Sequence, residues 1–315
     1  MDGKTARIFT EHLIRAKSKA AVVNRKMTFD LLHAGAEEFV NLTGCLVSSQ
    51  DITTVADQAD YDLAANYLRL YLKTNEKKGG EYFIRYTDGS SVEYLLTFQP
   101  YQKTVYDKDD DSVDVPSLFT LHQKTTLPTQ LTGTTTSAGT LSGGQANLTD
   151  TGEAFKTYVS AGDIVHNSKK DATGVVLSVT DDENLVTAMF TSDGNPKDWA
   201  SADTWVIQPQ PRMQLQLVPP PDTASETVTV PYITKPAPVY SDYGTWNVSD
   251  IYHKAFCLYA AYLYLAEYDI QEGVNVLNTN LGQTYLDQFN RIVHQANYEI
   301  SRGLGKKGYT VRGTV

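Results

Sequence analysis

Ser249-Asp250-Ile251-Tyr252-His253-Lys254-Ala255-Phe256 opens residues 249–302, the longest passage that reads as helix and the one against which the rest of the chain must pack. Ser249 has the chemistry of an N-cap, and Asp250 falls in the first turn. Apolar residues recur at Ile251, Ala255, Leu258, Tyr262 and Leu265, which is helical spacing, while Phe256, Cys257, Tyr259, Ala260, Leu263 and Tyr264 make the opposite side apolar too. A helix apolar on nearly all faces is enclosed by its own domain or by copies of itself. A second helical pattern runs through Val274, Leu277, Leu281, Tyr285, Phe289, Ile292, Val293, Ala296 and Ile300, starting or bending near Gly273 and Gly282. Together the two read as a helical hairpin.

Working toward the N-terminus, residues 235–247 carry Pro236, Pro238 and Gly244 and read as an extended crossing. Before it, Met213-Gln214-Leu215-Gln216-Leu217-Val218 alternates cleanly, and strand character resumes from Glu226 to Ile233; these strands are expected to complete a sheet begun at Asp51. At the other end, residues 5–23 and 28–43 carry helical periodicity, with Gly44 placed to end the second helix. From Asp51 the pattern turns to strands, at residues 52–55, 61–63, 68–72, 81–86 and 92–98, with Asp88-Gly89 as a hairpin turn and residues 101–106 as a further strand.

The Thr-, Ser- and Gly-rich residues 125–144 mark a boundary. Beyond them, four or more short strands with polar turns fill residues 155–207, and Pro209 and Pro211 close the unit. The expected fold class is therefore α+β. A helical bundle of N-terminal helices and the C-terminal hairpin carries a small antiparallel sheet, and a small β-barrel or sandwich is inserted in it. The expected domains are a discontinuous core of residues 1–124 and 212–302, an inserted β module of residues 125–211, and a flexible tail of residues 303–315.

At 315 residues the chain can bury a substantial core. It has no apolar run long enough to span a bilayer, and residues 1–23 lack the apolar segment of a signal peptide, so neither membrane nor export is expected. Cys45 and Cys257 are the two cysteines and give neither a disulfide framework nor zinc spacing. Sequons at Asn41, Asn147 and Asn247 have no meaning without a secretory route.

A formal charge of −10 argues against a protein that grips nucleic acid across its whole surface. The cations gather at the two ends, Arg7 to Lys26 and Arg302 to Arg312, as solvated termini or as a basic patch. The carboxylates of residues 107–114 fail the EF-hand spacing, because Ser112 and Leu118 stand where glycine and glutamate are needed. A solvated acidic loop or a looser cation site remains.

The sequence shows no GxSxG, no glycine-rich phosphate loop, no HExxH and no Cys-His pairing in a catalytic context. No enzyme, catalytic residue, cofactor or metal site is expected. The unusual feature is twenty tyrosines, with a band at Tyr252, Tyr259, Tyr262, Tyr264, Tyr268 and Tyr285. Tyrosine suits cores and subunit interfaces alike, and Tyr252, Tyr259 and Tyr262 are the expected interface residues. Stacking on single-stranded nucleic acid is a third reading of the band.

Several quoted stretches carry a resemblance. Ile52-Thr53-Thr54-Val55-Ala56-Asp57-Gln58-Ala59-Asp60-Tyr61-Asp62-Leu63 leads to Tyr67-Leu68-Arg69-Leu70, and later come Leu215-Gln216-Leu217-Val218-Pro219-Pro220-Pro221-Asp222, a strand and two C-terminal helices. This order resembles the head-to-tail adaptor (connector) proteins of tailed bacteriophages, with Ala64 where that family often has proline. The inserted stretch, through Ala161-Gly162-Asp163-Ile164-Val165-His166-Asn167, Gly174-Val175-Val176 and Asp203-Thr204-Trp205-Val206-Ile207, resembles a small β module of phage structural proteins.

The resemblance implies a non-enzymatic virion protein of the neck, assembled in the host cytoplasm as a ring commonly of twelve copies. Such a ring joins the portal to a tail, nozzle or tail-completion protein and passes double-stranded DNA without specific binding. It implies portal docking by the tail, through Lys306, Lys307, Tyr309, Val311 and Arg312. The alternative is a tail-associated carbohydrate- or receptor-binding protein that contacts sugar through Trp199 and Trp205.

Overall fold

The computed structural model describes residues 1–15, 23–75, 79–100, 114–124, 126–268 and 276–305. Two helices lead, α1 (Gly3–Arg15) and α2 (Arg25–Thr43). Nine strands follow: β1 (Val47–Thr53), β2 (Asp60–Asp62), β3 (Tyr67–Leu70), β4 (Leu72–Asn75), β5 (Gly79–Tyr82), β6 (Arg85–Thr87), β7 (Glu93–Leu95), β8 (Thr97–Phe98) and β9 (Leu118–Gln123). Next come β10 (Leu131–Thr134), β11 (Ala146–Thr149), the single turn α3 (Phe155–Tyr158), β12 (Ile164–Asn167), β13 (Ala172–Val179), β14 (Asn184–Thr191), β15 (Pro196–Lys197) and β16 (Thr204–Gln208). The chain then runs through β17 (Met213–Val218) and β18 (Thr227–Thr234) to a 3-10 turn (Asp250–Tyr252), α4 (His253–Leu263), a π turn (Tyr264–Tyr268) and α5 (Val276–Gly305).

The expectation of a helical bundle with a small sheet is overturned. The protein is mostly β and only 28% helical. The period-2 segments build two packed sheets where one small sheet was expected. The first has the order β1-β18-β6-β7 with β3 also on β18, and the second has the order β2-β17-β9-β8. Between them lies a hydrophobic core of Ile52, Tyr61, Ile84, Tyr86, Phe119, Leu215, Leu217, Val228 and Val230. Burying both inner faces of paired sheets takes far more strand than covering one face of a helical layer. The clean alternation of residues 213–218 was therefore the signal of a two-layer β core.

The third sheet has the order β10-β16-β12-β13-β14-β11, with β15 on β14, and all its strands lie between Leu131 and Gln208. Its own core holds Trp199, Trp205, Phe155, Val165, Leu148 and Ile207. Asp163 fastens the way out of this sheet, because its carboxylate accepts from the N–H of Ser160 at 2.8 Å and of Gln210 at 2.9 Å.

The helices share one hydrophobic core, which also takes in Ala188 and Phe190 of β14 and Ile233 of β18. Asn24 caps α2 by accepting from the Met27 N–H at 2.8 Å, and Gly44, at φ 62°, ends it in the left-handed region that glycine enters without strain. Ser249, expected to cap the next helix, makes no side-chain cap bond. A 3-10 turn intervenes and α4 starts at His253. Gly273 lies outside the described residues, and Gly282 sits inside α5.

Contacts between Gly282 and Leu265, Phe289 and Tyr259, and Glu299 and Tyr252 run in opposite order along the two helices, so α4 and α5 are antiparallel. Much of the apolar surplus of α4 is taken up within the chain, by α1, α2, α5 and Trp246. Arg25 ties the layers, donating to the Gly143 carbonyl at 3.0 Å and pairing with Asp242 at 3.1 Å.

Candidate interaction surfaces

Tyr252 is 8% exposed, with its ring 5.3 Å from that of Phe39 and its hydroxyl donating to the Glu299 carboxylate. That bond, with burial behind it, pushes the phenol up to about 12 and holds Glu299 below the usual carboxylate range. The Tyr259 ring lies 4.7 Å from Phe289 and 5.7 Å from Tyr262. The structure thus brings Tyr252 and Tyr259 against α5 of the same chain, with Tyr259 and Tyr262 half-buried. The neighbouring surface is more open: Ile251 is 65% exposed, and Leu42 accepts from Asn297 of α5 while its own side chain faces out.

Lys306, Lys307, Tyr309, Val311 and Arg312 lie outside the described residues, as does the acidic loop apart from Asp114. Among the described residues no group of three or more His, Cys, Asp or Glu could hold a metal ion. No helix among them is long and apolar enough to cross a membrane.

Trp199 and Trp205 present no ring to a sugar, each being 1% exposed. The Trp199 indole donates to Thr187 Oγ1 at 2.8 Å, and the Trp205 indole donates to Asp150 Oδ2 at 2.9 Å. Buried indoles that find polar partners are the usual structural use of tryptophan.

Between α2 and the seven-stranded sheet runs a cleft of about 1010 Å³. One side is the α2 face of Asp30, His33 and Glu37, and the other carries the exposed Leu127, Tyr158 and Ile164. Burial keeps the His33 imidazole below its ordinary value and pushes the Tyr240 phenol up, with Asp30 adding to the latter. Lys26 pairs with Asp30 at 2.7 Å. Carboxylates and cations are mixed here, so the cleft has no single sign of charge.

Among the described residues the path β1-β18-β6-β7 of the five-stranded sheet ends on two strands with an open edge, and β3 lies off this path on β18. At one side is β1, with Val47, Ser49, Asp51 and Thr53 exposed, and at the other β7, exposed throughout. Val47 and Leu95, at these edges, were not singled out from the sequence. An edge is defined by which strands pair across the whole chain, and no local pattern marks it.

Among curated proteins none matches the chain. The family described as SU10 adaptor protein matches residues 117–305, more than half of the chain. The match takes in all of the seven-stranded sheet, β17, β18 and both C-terminal helices. It leaves out β1, β3, β6 and β7, which pair around β18. The chain therefore belongs to the SU10 adaptor protein family and is by that membership a phage adaptor and a virion component.

Proposed function

We propose that the protein is a head-to-tail adaptor of the virion neck. Its copies close into a ring, commonly of twelve, that joins the portal to the tail and lets double-stranded DNA pass without specific binding. The observation that carries this reading is the family match over residues 117–305. A net charge of −10 supports it, since a channel wall of that sign does not hold DNA. So do Ile251 and Leu42, large apolar side chains exposed beside the α4–α5 layer where a neighbour could cover them.

In this reading residues 1–124 and 212–302 form the ring body, with Tyr259 and Tyr262 at its subunit contact, and residues 125–211 are an inserted module projecting from it. The tail, through Lys306, Lys307, Tyr309, Val311 and Arg312, docks on the portal. Native mass measurement and negative-stain imaging of the chain, alone and with portal, test the ring. A chain that stays monomeric in both overturns the proposal. Truncation after Gly303 tests the tail, and unchanged portal binding removes its role.

A further inference from the structure

We infer that the five-stranded sheet continues from copy to copy, β7 of one protomer pairing antiparallel with β1 of the next. The inference rests on the ring reading and assigns one of its contacts.

Three properties of the two edges agree. The first is polarity. Each neighbouring pair in the path β1-β18-β6-β7 is antiparallel, so β1 and β7 point in opposite directions. Copies related by rotation about a ring axis keep their strand directions. A β7 laid beside the next β1 therefore extends the same antiparallel pattern, and head-to-tail contacts of this kind close into rings.

The second is the state of the backbone. Thr54 donates to Glu226 and Thr234 to Leu46, so the even-numbered residues of β1 bond inward to β18 and the odd ones, Val47, Ser49 and Asp51, turn their peptide groups outward. In β7, Leu96 donates to Ile84 and Asp88 to Val92, so Tyr94 bonds toward β6, and Glu93 and Leu95 face out. Among the described residues these outward N–H groups meet no partner. An edge with open peptide groups and apolar side chains is a template for another strand.

The third is the face. Ile52 and Tyr86 lie in the core between the sheets, so Val47 and Leu95, of opposite parity to their strands' core-facing residues, share the outer face. Val47 is 49% exposed and Leu95 54% exposed. Setting Leu95 opposite Val47 covers both and places Glu93 opposite Ser49. A slip of two residues would instead set Glu93 against Asp51, two like charges directly opposed. A slip of one would turn every side chain to the wrong face.

Paired cysteines at these positions test it. Within one copy the two edges are three inter-strand steps apart, roughly 14 Å at about 4.8 Å each, well beyond the roughly 7 Å that a disulfide can bridge. Any Val47→Cys to Leu95→Cys bond in the double variant must then join two copies. Both sites are exposed surface, so the fold tolerates the changes, and Cys45→Ser removes the nearby thiol.

Oxidation of assembled rings is expected to give a ladder of covalent multimers on denaturing gels, whereas either single variant gives dimers at most. Rings visible by imaging but no ladder overturn the edge pairing and leave the ring reading standing. No rings with or without portal overturn the ring reading and the pairing with it.

Discussion

Gly35 of α2 lies so close to Phe256 of α4 that a Cβ on the glycine would sit 2.7 Å from the Phe256 carbonyl oxygen and 3.2 Å from its Cα. The obstacle is backbone, which cannot swing aside as a side-chain tip would. The two helices meet here through the absence of a side chain. Around the contact, Phe39 and Phe256 pack edge to face at 5.5 Å, and Trp246 lies 5.5 Å from Phe256.

Gly35→Ala should therefore destabilise the chain even though alanine is the better helix former. Overpacking costs about 1–3 kcal/mol, and the propensity gain returns up to about 1 kcal/mol. A net loss of about 1–2 kcal/mol is expected, read as a lower urea midpoint. An unchanged or higher midpoint would show that the helices separate freely.

In the seven-stranded sheet, Asp150 Oδ2 accepts from the Trp205 indole at 2.9 Å and from the Thr134 N–H at 3.0 Å. Asp150→Ala strips both donors of their acceptor, at about 1–3 kcal/mol for each one left unsatisfied. Asp150→Asn keeps a carbonyl oxygen for both of them, giving up only the oxygen that accepts from the Gly152 N–H at 3.3 Å, and should cost less. Trp205 fluorescence during denaturation follows the loss locally. The reverse order of the two variants would rule out this account.

Two histidines make stability depend on pH. His253 is 2% exposed between the carbonyls of Val248 and Met1, and His33 is packed on α2. Burial lowers both below the ordinary value of 6.5. Each binds a proton more readily unfolded than folded, so stability is complete above 6.5 and falls as the pH drops through that value toward the lowered folded one. The slope is at most about 1.4 kcal/mol per pH unit for each histidine. Urea midpoints between pH 7.5 and 5.5 should fall with pH, and the fall should shrink in His33→Gln. A midpoint that rises on acidification contradicts the sign.

Thiol labelling should separate the two cysteines. Burial pushes the Cys257 thiol up to about 11, and its Sγ sits 3.6 Å from the His253 carbonyl inside the helical layer. Cys45 is half-buried and raised by burial as well. At pH 8, Cys45 should react more slowly than a free thiol, and Cys257 only as fast as the chain unfolds. A Cys45→Ser variant that still labels quickly would place Cys257 at the surface.

The sequence carried most elements and part of their grouping, since residues 213–218 and 226–233, expected to complete the sheet begun at Asp51, do pair as β17 with β2 and as β18 with β1, β3 and β6. The alternation at residues 213–218 and the β-branched run before Ile233 appear as β17 and β18, and Gly44 ends α2 where its left-handed freedom suggests. Asp88-Gly89 does sit in the hairpin between β6 and β7. The loop is longer than a two-residue turn, however, and the left-handed residue is Ser91, at φ 62°, with Asp88 Oδ1 accepting from Ser90 and Val92.

What stayed hidden was long-range. β18 joins β1, β3 and β6 from more than 130 residues earlier, but no local period says that these strands and those around β17 divide between two sheets. The same holds for the tyrosine band: Tyr252 looked like spare interface area because Phe39 and Glu299, its partners, lie far off in sequence. Trp199 and Trp205 misled in the same way, since an indole's use depends on whether Thr187 or Asp150 waits for its N–H.

The family match starts at residue 117, yet four of the five strands in the first sheet precede it. A fragment cut where the resemblance begins would carry β18 bare on both sides, eight residues of Thr, Val, Pro, Tyr and Ile with no strand to hold them. The leading third of the chain thus serves the remainder as a bound partner that happens to be covalently attached. Supplied as a separate polypeptide, it would be the natural rescuer of that fragment.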